Sequence, residues 1–178
     1  STFVINKPRT DTLKDGLVGY WSFDGPDMSQ STNNVWAIDR SGQGNNGVLK
    51  NMATSTARII GKIGQALDFD GVDDYVNAGS ATNIDDINAF TYTAWIYPRS
   101  IGENSEGHIV SKRDVNTGDG KEFDTDALIV SRSLRLDVDR ATTDANAVAV
   151  ASSITFNTWQ FVVGTYSSTD GPRIYINT

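Results

Sequence analysis

From Leu17 onward this chain consists of short apolar runs broken by Gly, Asn, Asp and Ser, and two of the runs alternate cleanly between hydrophobic faces and their opposite faces. In the run FTYTAWIY, Phe90 and every second residue after it share one face of an extended segment, whereas Trp95 and Tyr97 share the other. The same alternation runs from Trp159 to Thr165. Side chains point to opposite faces in turn along a β-strand, and these runs are rich in aromatic and β-branched residues. Both runs therefore predict strands.

Other apolar runs extend this pattern along the chain. The predicted strands are Leu17–Phe23, Gly47–Leu49, Ala66–Phe69, Tyr75–Ala78, Phe90–Tyr97, His108–Lys112, Ala127–Ser131, Leu134–Val138, Ala147–Ser153, Gln160–Tyr166 and Arg173–Ile176. Turn-forming pairs such as Asn46-Gly47 separate them, and only Ser80–Ile87 is expected to hold a helical turn. About eleven short strands without crossover helices indicate an all-β fold, an antiparallel two-sheet jelly-roll sandwich.

The composition narrows the classes of function. The 178 residues are expected to form one domain, with Ser1–Gly16 as a leader or linker and residues 17–178 as the folded unit. The formal net charge of -7 argues against nucleic acid or an anionic membrane as the partner. The chain has no cysteine, one histidine (His108) and no apolar run long enough for a membrane span. Thiol chemistry, multi-histidine metal sites and membrane insertion are therefore excluded.

Several phrases, in order along the chain, carry a resemblance to a known family. They are GLVGYWSFD from Gly16, DRSGQGNNGVL from Asp39, GQALDFDGVDDYV from Gly64, FTYTAWIYP from Phe90, IVSK from Ile109 and WQFVVGTY from Trp159. Together they resemble the laminin-G-like modules of the concanavalin A-like lectin/glucanase superfamily. The resemblance implies a jelly-roll module of a secreted or cell-surface protein that binds a glycan or a surface protein, within a larger multidomain chain.

The end of the sequence departs from the family pattern. Family members continue past the position of Ile174–Asn177 into closing strands that pair with the opening strand, whereas this sequence stops at Thr178. Three explanations stay open: the sequence is a shortened piece that lacks these strands, the strands come from elsewhere, or Ser1–Gly16 supplies one of them. An unpaired sheet edge would otherwise favour aggregation.

Carboxylates and glycines concentrate in the turns between the first predicted strands. Ca²⁺ takes about six to eight oxygen ligands, and glycines let backbone carbonyls turn toward an ion. Many members of the resembled superfamily hold a structural Ca²⁺ near the opening strand. The resemblance therefore implies a calcium site, with Asp24, Asp39, the Gly44 carbonyl and Asp70 as its candidate ligands. The alternative is that these carboxylates cap turns by accepting backbone N–H groups, and this is favoured for Asp70.

Aromatic residues supply the candidate carbohydrate site. A pyranose ring stacks its C–H groups on an aromatic face, while nearby polar side chains bond its hydroxyls. The candidates are Trp36, Trp95, Tyr97, Lys112 and Arg132. Two placements stay open for Trp95, the ligand-binding face of a sheet and the core, because a sandwich core also needs large aromatic side chains. Trp36 is expected either in an exposed loop or as a lid over the core.

Catalysis has one candidate segment. The run EFDTD, from Glu122 to Asp126, is similar to the paired-carboxylate strand of the glucanase branch of this superfamily. Residues so spaced lie about 13 Å apart along a strand, whereas retaining hydrolysis needs carboxyls about 5–5.5 Å apart. We therefore expect a non-catalytic carbohydrate-binding module. A structural or adhesive spacer that binds a protein partner is the alternative, and a glycoside hydrolase is a minor one.

Overall fold

The computed structural model describes residues 14–31, 34–52, 57–84, 88–102, 105–112, 123–130, 132–140, 145–148 and 153–177. Over these ranges nearly all regular structure is β-strand, and the helical segments are short 3-10 turns such as Gly25–Asp27 and Thr82–Ile84. The predicted all-β class is confirmed. Thr82–Ile84 is the helical turn expected within residues 80–87.

The strands form antiparallel sheets. In chain order they are β1 (Met28–Gln30), β2 (Val35–Ala37), β3 (Gly47–Lys50), β4 (Arg58–Ile60), β5 (Gln65–Leu67), β6 (Tyr75–Asn77), β7 (Ala89–Ile96), β8 (Glu106–Lys112), β9 (Phe123–Val130), β10 (Ser133–Arg140), β11 (Ala145–Val148), β12 (Gln160–Ser167) and β13 (Arg173–Ile176). Two sheets have four strands, ordered β1-β2-β3-β6 and β11-β10-β9-β8. A three-stranded sheet is ordered β13-β12-β7, and β4 pairs with β5.

The main core lies between the three-stranded sheet and the sheet that contains β8 to β11. Ile129 of β9 and Leu134 of β10 form one cluster with Val162 of β12. Leu136 of β10 packs in a neighbouring cluster with Tyr166 of β12. Each such side chain stabilises the fold by about 1.5–3 kcal/mol relative to its exposed state. Two antiparallel sheets thus meet face to face, which confirms the predicted sandwich.

The alternation along β7 and β12 is also confirmed. Every second residue of β12 from Gln160 to Tyr166 is buried, and burial alternates in the same way along β7, with Phe90 on its inner face. The intervening residues point away from the core. They form the outer face of the three-stranded sheet, which carries the candidate site described below.

A second, smaller core lies under the sheet that contains β1, β2, β3 and β6. Met52, Ala57 and Leu67 are buried there, and Phe23 and Met28 pack against them. Phe23 ties the opening segment to this core. From residue 17 onward, the chain before β1 is therefore part of the fold.

The predicted strand Leu17–Phe23 is wrong, because residues 17–24 form no strand. Side chains bind the backbone of this segment instead. The amide of Tyr20 donates to Asp39 Oδ1 at 2.9 Å, and the side-chain amide of Asn45 donates to the Val18 carbonyl at 2.7 Å. Since these backbone groups are already bonded to side chains, the segment follows the loop around residues 39–46 without joining a sheet.

The hydrophobic pattern also missed β1, β2 and β4. Each has only three residues. In β4 all three residues are exposed, so no buried face marks it. The other predicted strands are present, β13 with the predicted bounds and the rest with one or both ends shifted.

Candidate functional site

The outer face of the three-stranded sheet carries aromatic side chains at one end. Trp95 of β7 lies opposite Phe161 of β12 in the strand register, and the two ring centroids are 5.3 Å apart. Next to this pair, at the strand ends, the ring centroids of Tyr97 and Trp159 are 5.4 Å apart. We call these four side chains the aromatic platform.

The aromatic platform is open to solvent. The exposed fractions of Trp95 and Tyr97 are 41% and 42%, so the placement of Trp95 in the core is wrong. The ammonium group of Lys62 lies 5.6 Å from the Trp95 ring centroid, which is a cation–π contact. Tyr175 of β13 lies opposite Val163 on the same outer face and is itself exposed. Apolar surface thus extends across all three strands.

The other end of the outer face is polar and opens into a cleft of about 570 Å³. Thr91 and Thr93 of β7 and Thr165 of β12 line it from the sheet, and Asp15–Leu17 form a further wall. A threonine hydroxyl both donates and accepts hydrogen bonds. The volume lies within the range of about 300–1,000 Å³ that is usual for small-molecule sites.

The turn between β12 and β13 holds the charged wall of the cleft. The Asp170 amide donates to Ser167 Oγ at 3.0 Å, and that hydroxyl donates to Asp170 Oδ2 at 3.0 Å. The Gly171 amide donates to the Ser167 carbonyl at 2.9 Å. The guanidinium of Arg173 then donates to Asp170 Oδ1 at 3.0 Å, so this base of the cleft is paired with an acid of the same turn.

The remaining predicted carbohydrate residues lie in other sheets. Trp36 is half-buried in β2. Lys112 ends β8, and its ammonium group donates to Ser80 Oγ at 3.2 Å. Arg132 lies between β9 and β10 with its guanidinium 4.6 Å from the Phe156 ring centroid. Among the predicted carbohydrate residues, only Trp95 and Tyr97 are thus brought onto one sheet face.

Asp39 is buried, and its carboxylate accepts four hydrogen bonds. Oδ1 accepts from the amides of Tyr20 at 2.9 Å and Ser41 at 2.8 Å. Oδ2 accepts from the amide of Asn45 at 3.0 Å and the hydroxyl of Ser41 at 2.7 Å. Burial raises the pKa of this carboxyl, but the hydrogen bonds from Ser41, Tyr20 and Asn45 outweigh burial and leave its pKa below the ordinary value. These bonds use the lone pairs that a cation would need, so Asp39 anchors the loop.

Asp24 and Gly44 also have partners within the chain. Asp24 Oδ1 accepts from the Gln65 amide at 2.7 Å, which fixes the hairpin of β4 and β5. The Gly44 carbonyl accepts from the Asn46 amide at 2.9 Å. Within the part of the chain that the structure describes, no group of three mutually close acidic side chains includes Asp24 or Asp39. The four predicted calcium ligands are therefore not gathered in one cluster of acids.

The acids that do come together are Asp70, Asp73 and Asp74, which we call the acidic turn. Their carboxylates each offer an oxygen within 4.8 Å of the others. Asp70 Oδ1 accepts from the Val72 amide at 2.8 Å, which confirms Asp70 as a turn cap. Asp74 Oδ2 accepts from the Asp70 amide at 2.9 Å, and Asp73 Oδ2 accepts from Asn51 at 3.1 Å. Since these bonds use one oxygen of each carboxylate, the cluster could hold a metal ion with the other oxygens.

Sequence reasoning missed two parts of the outer face. Trp159 and Phe161 were not among the predicted carbohydrate residues, but both belong to the aromatic platform. The signal was present, because both residues share a strand face with Thr165, and a threonine on that face favours an outward orientation. The cleft had no local signal, since Asp15 and Thr91 meet only in the folded chain.

The candidate catalytic residues do not form a described site. Glu122 lies outside the described residues. The backbone of Asp126 lies in β9, opposite Ser111 of β8 and Asp137 of β10. His108 is exposed on β8. The expected absence of catalysis therefore stays a prediction, and glycoside hydrolysis stays its minor alternative.

The comparisons with known proteins identify the family. No helix within the described ranges is long and apolar enough to cross a membrane. No curated protein and no solved structure matches this chain. Residues 70–178, which include every strand from β6 to β13, match a laminin G family model of the concanavalin A-like lectin/glucanases superfamily. The chain therefore belongs to the concanavalin A-like lectin/glucanase superfamily.

Proposed function

We propose that this domain is a non-catalytic carbohydrate-binding module whose ligand stacks on the aromatic platform. The observation that supports this is the exposure of Trp95 and Tyr97 on a sheet face where their neighbours are also aromatic. Removing such exposed rings from water lowers the free energy, and a binding partner that covers them achieves this. A pyranose ring offers a flat patch of C–H groups for that purpose, and superfamily membership is consistent with glycan binding.

The biological setting follows from the same proposal. A glycan-binding module meets its ligand outside the cell, so we place the domain in a secreted or cell-surface protein, as one part of a larger multidomain chain. The net charge of -7 disfavours nucleic acid as a partner. The domain then supplies affinity for a surface glycan and no chemical step.

Calcium is proposed at the acidic turn. The donors are carboxylate oxygens, which suit a hard cation, and Asp70 and Asp73 are exposed. Three protein oxygens are fewer than the six to eight or so that Ca²⁺ requires. We therefore propose weak binding with water completing the ligand shell. In this proposal Asp24 and Asp39 serve the fold and not the ion.

A protein-binding spacer remains the second candidate, and a different surface favours it. Ile60 and Ile63 of the β4–β5 hairpin are 88% and 76% exposed. Lys62, between them, contacts the Trp95 ring, so this apolar hairpin adjoins the aromatic platform. The two candidates are separable, because replacing both isoleucines by serine would weaken protein docking and leave glycan stacking on Tyr97 and Trp159 in place.

A glycan array tests the proposed function. The wild-type domain is compared with Trp95→Ala and with Tyr75→Ala, a matched control at an exposed tyrosine of β6 in another sheet. We expect the wild type and Tyr75→Ala to retain the same glycan, and Trp95→Ala to bind it about tenfold more weakly or worse. If no glycan is retained, or if Trp95→Ala binds like the wild type, the proposal is wrong.

A further inference from the structure

We infer that the outer face of the three-stranded sheet selects a neutral, linear oligosaccharide that lies along β7, with one end on the aromatic platform and the other in the cleft. This inference rests on the proposed function and adds the class of glycan. It combines the aromatic platform and the cleft, which lie at opposite ends of β7.

The first observation is the order of side chains along the outer face. From Tyr97, which directly follows β7, back to the start of the strand, the outward residues are Tyr97, Trp95, Thr93 and Thr91. The first two are aromatic, and the last two line the cleft. At about 3.3 Å per residue, the distance from Tyr97 to Thr91 along the strand is about 20 Å. A single sugar ring is too short to contact both ends.

The second observation is that β12 repeats this order beside β7. Phe161 lies opposite Trp95, Val163 opposite Thr93, and Thr165 opposite Thr91. The outer face therefore changes from apolar to hydroxyl-bearing in the same direction on both strands. A linear saccharide fits this gradient, because its rings stack at the aromatic end and its hydroxyls bond threonines at the other.

The third observation is the charge of the cleft. Among the described residues, those with charged side chains that line it are Asp15, Asp170 and Arg173, two acids and one base. Arg173 is already bonded to Asp170, and Lys62 at the other end lies over the Trp95 ring. An anionic sugar would approach two carboxylates and would have to compete for cations that already have partners. Neutral hydroxyls meet no such repulsion.

The test measures how affinity depends on chain length and on charge. The probes are neutral β-linked gluco-, manno- and galacto-oligosaccharides from disaccharide to hexasaccharide, used in whichever series the array retains. The charged probe is the hexasaccharide of that series oxidised to uronate at C6, so that linkage and ring geometry stay matched. Binding is measured by calorimetric titration with the wild type, Thr91→Val, Trp95→Ala and Asp15→Lys.

We expect the neutral hexasaccharide to bind about tenfold more tightly than the disaccharide, and more tightly than its uronate counterpart. Thr91→Val removes a hydroxyl and keeps the branched shape. It should lower the affinity for the hexasaccharide and leave the affinity for the disaccharide unchanged. Trp95→Ala should weaken both probes. Asp15→Lys should raise the affinity for the uronate several-fold.

Two outcomes would overturn this inference and leave the proposed function standing: equal affinity for disaccharide and hexasaccharide, or tighter binding of the uronate to the wild type. If the array retains only anionic glycans, the inference of a neutral ligand is also overturned. An array without any retained glycan would instead remove the proposed function itself, and the inference with it.

Discussion

Four hydrogen bonds converge on the Asp39 carboxylate, and they connect the opening segment to the loop that follows. The partners of Asp39 lie up to 19 residues away in sequence, as in the bond from Tyr20. A buried acceptor with this many donors is costly to remove, because each donor is then left without its partner. At the scale of single residues, we therefore expect Asp39 to be a determinant of stability.

Asp39→Asn should destabilise the domain by about 2 kcal/mol, since the amide keeps one acceptor oxygen and turns an NH₂ group toward backbone donors. Urea unfolding of the two proteins at neutral pH measures the difference. Asp73→Asn, at an exposed acid of the acidic turn, is the matched control and should change stability by less than about 0.5 kcal/mol. Equal stability of Asp39→Asn and the wild type would contradict the role of this carboxylate.

The contribution of Asp39 should also depend on pH. Its native pKa is lowered, because the hydrogen bonds from Ser41, Tyr20 and Asn45 outweigh the effect of burial. The unfolded chain then binds the proton more readily, so the stabilisation is present above the unfolded pKa of about 3.9 and is lost as pH falls through the native pKa. We expect the stability difference between wild type and Asp39→Asn to shrink between pH 6 and pH 3. A difference that stays constant over this window would count against the assignment.

At the scale of elements, the packing of β12 against β7 depends on Gly164. A Cβ at this position would collide with the ring of Tyr92, whose hydroxyl is buried and has no hydrogen-bond partner among the described groups. The pKa of Tyr92 is raised by this burial. The pairing of the two strands therefore requires the absence of a side chain at residue 164.

Gly164→Ala should destabilise the domain by about 1–3 kcal/mol through overpacking. The same substitution in a Tyr92→Leu background should have a smaller effect, because the colliding ring is absent. Thermal or urea unfolding of the four proteins of this cycle measures the coupling. Additive effects of the two substitutions would show that the ring and the glycine do not interact.

The elements also show what sequence patterns can and cannot predict. The period of two in residues 90–97 was sufficient to put Trp95 and Tyr97 on one face. It could not tell which face is buried, because Phe90 and Tyr92 make the other face equally aromatic. That choice depends on β12, where Val162 and Tyr166 face the sheet of β8 to β11. Burial was therefore decided by a partner strand about seventy residues away.

Other failures have the same origin. The apolar run at residues 17–23 has the composition of a strand, yet Asn45 bonds the Val18 carbonyl from 27 residues away. The expected ligands Asp24, Asp39 and Asp70 have a suitable chemistry for calcium, but Asp39 accepts hydrogen bonds from Ser41, Asn45 and Tyr20, and the bond from Tyr20 spans 19 residues. Aromatic and acidic residue types were predicted for the two proposed sites, and which residues of those types have hydrogen-bonded partners depends on the folded chain.

At the scale of the whole molecule, the account assigns separate surfaces to separate tasks. The outer face of the three-stranded sheet carries the proposed glycan site. The acidic turn, between β5 and β6, carries the proposed ion. The carboxylate of Asp39 holds the opening segment, and that of Asp24 holds the β4–β5 hairpin. Removal of calcium should therefore affect the acidic turn and leave glycan binding in place.

Calcium at millimolar concentration should raise the melting temperature of the wild type modestly, since a ligand that binds the native state stabilises it by RT ln(1 + [L]/Kd). EGTA should reverse the shift, and Asp74→Asn should abolish it. Asp170→Asn, at an acid outside the acidic turn, is the matched control and should keep it. A shift that survives in Asp74→Asn would place the ion elsewhere, and an unshifted wild type would exclude the proposed site.

The most direct test of the central claim is a map of backbone amide chemical shifts during titration with the neutral oligosaccharide that the array retains. The account predicts that the largest changes fall on β7 and β12, at Thr93, Trp95 and Phe161, and extend to the cleft at Arg173. Changes confined to the acidic turn or to the sheet of β8 to β11 would contradict it.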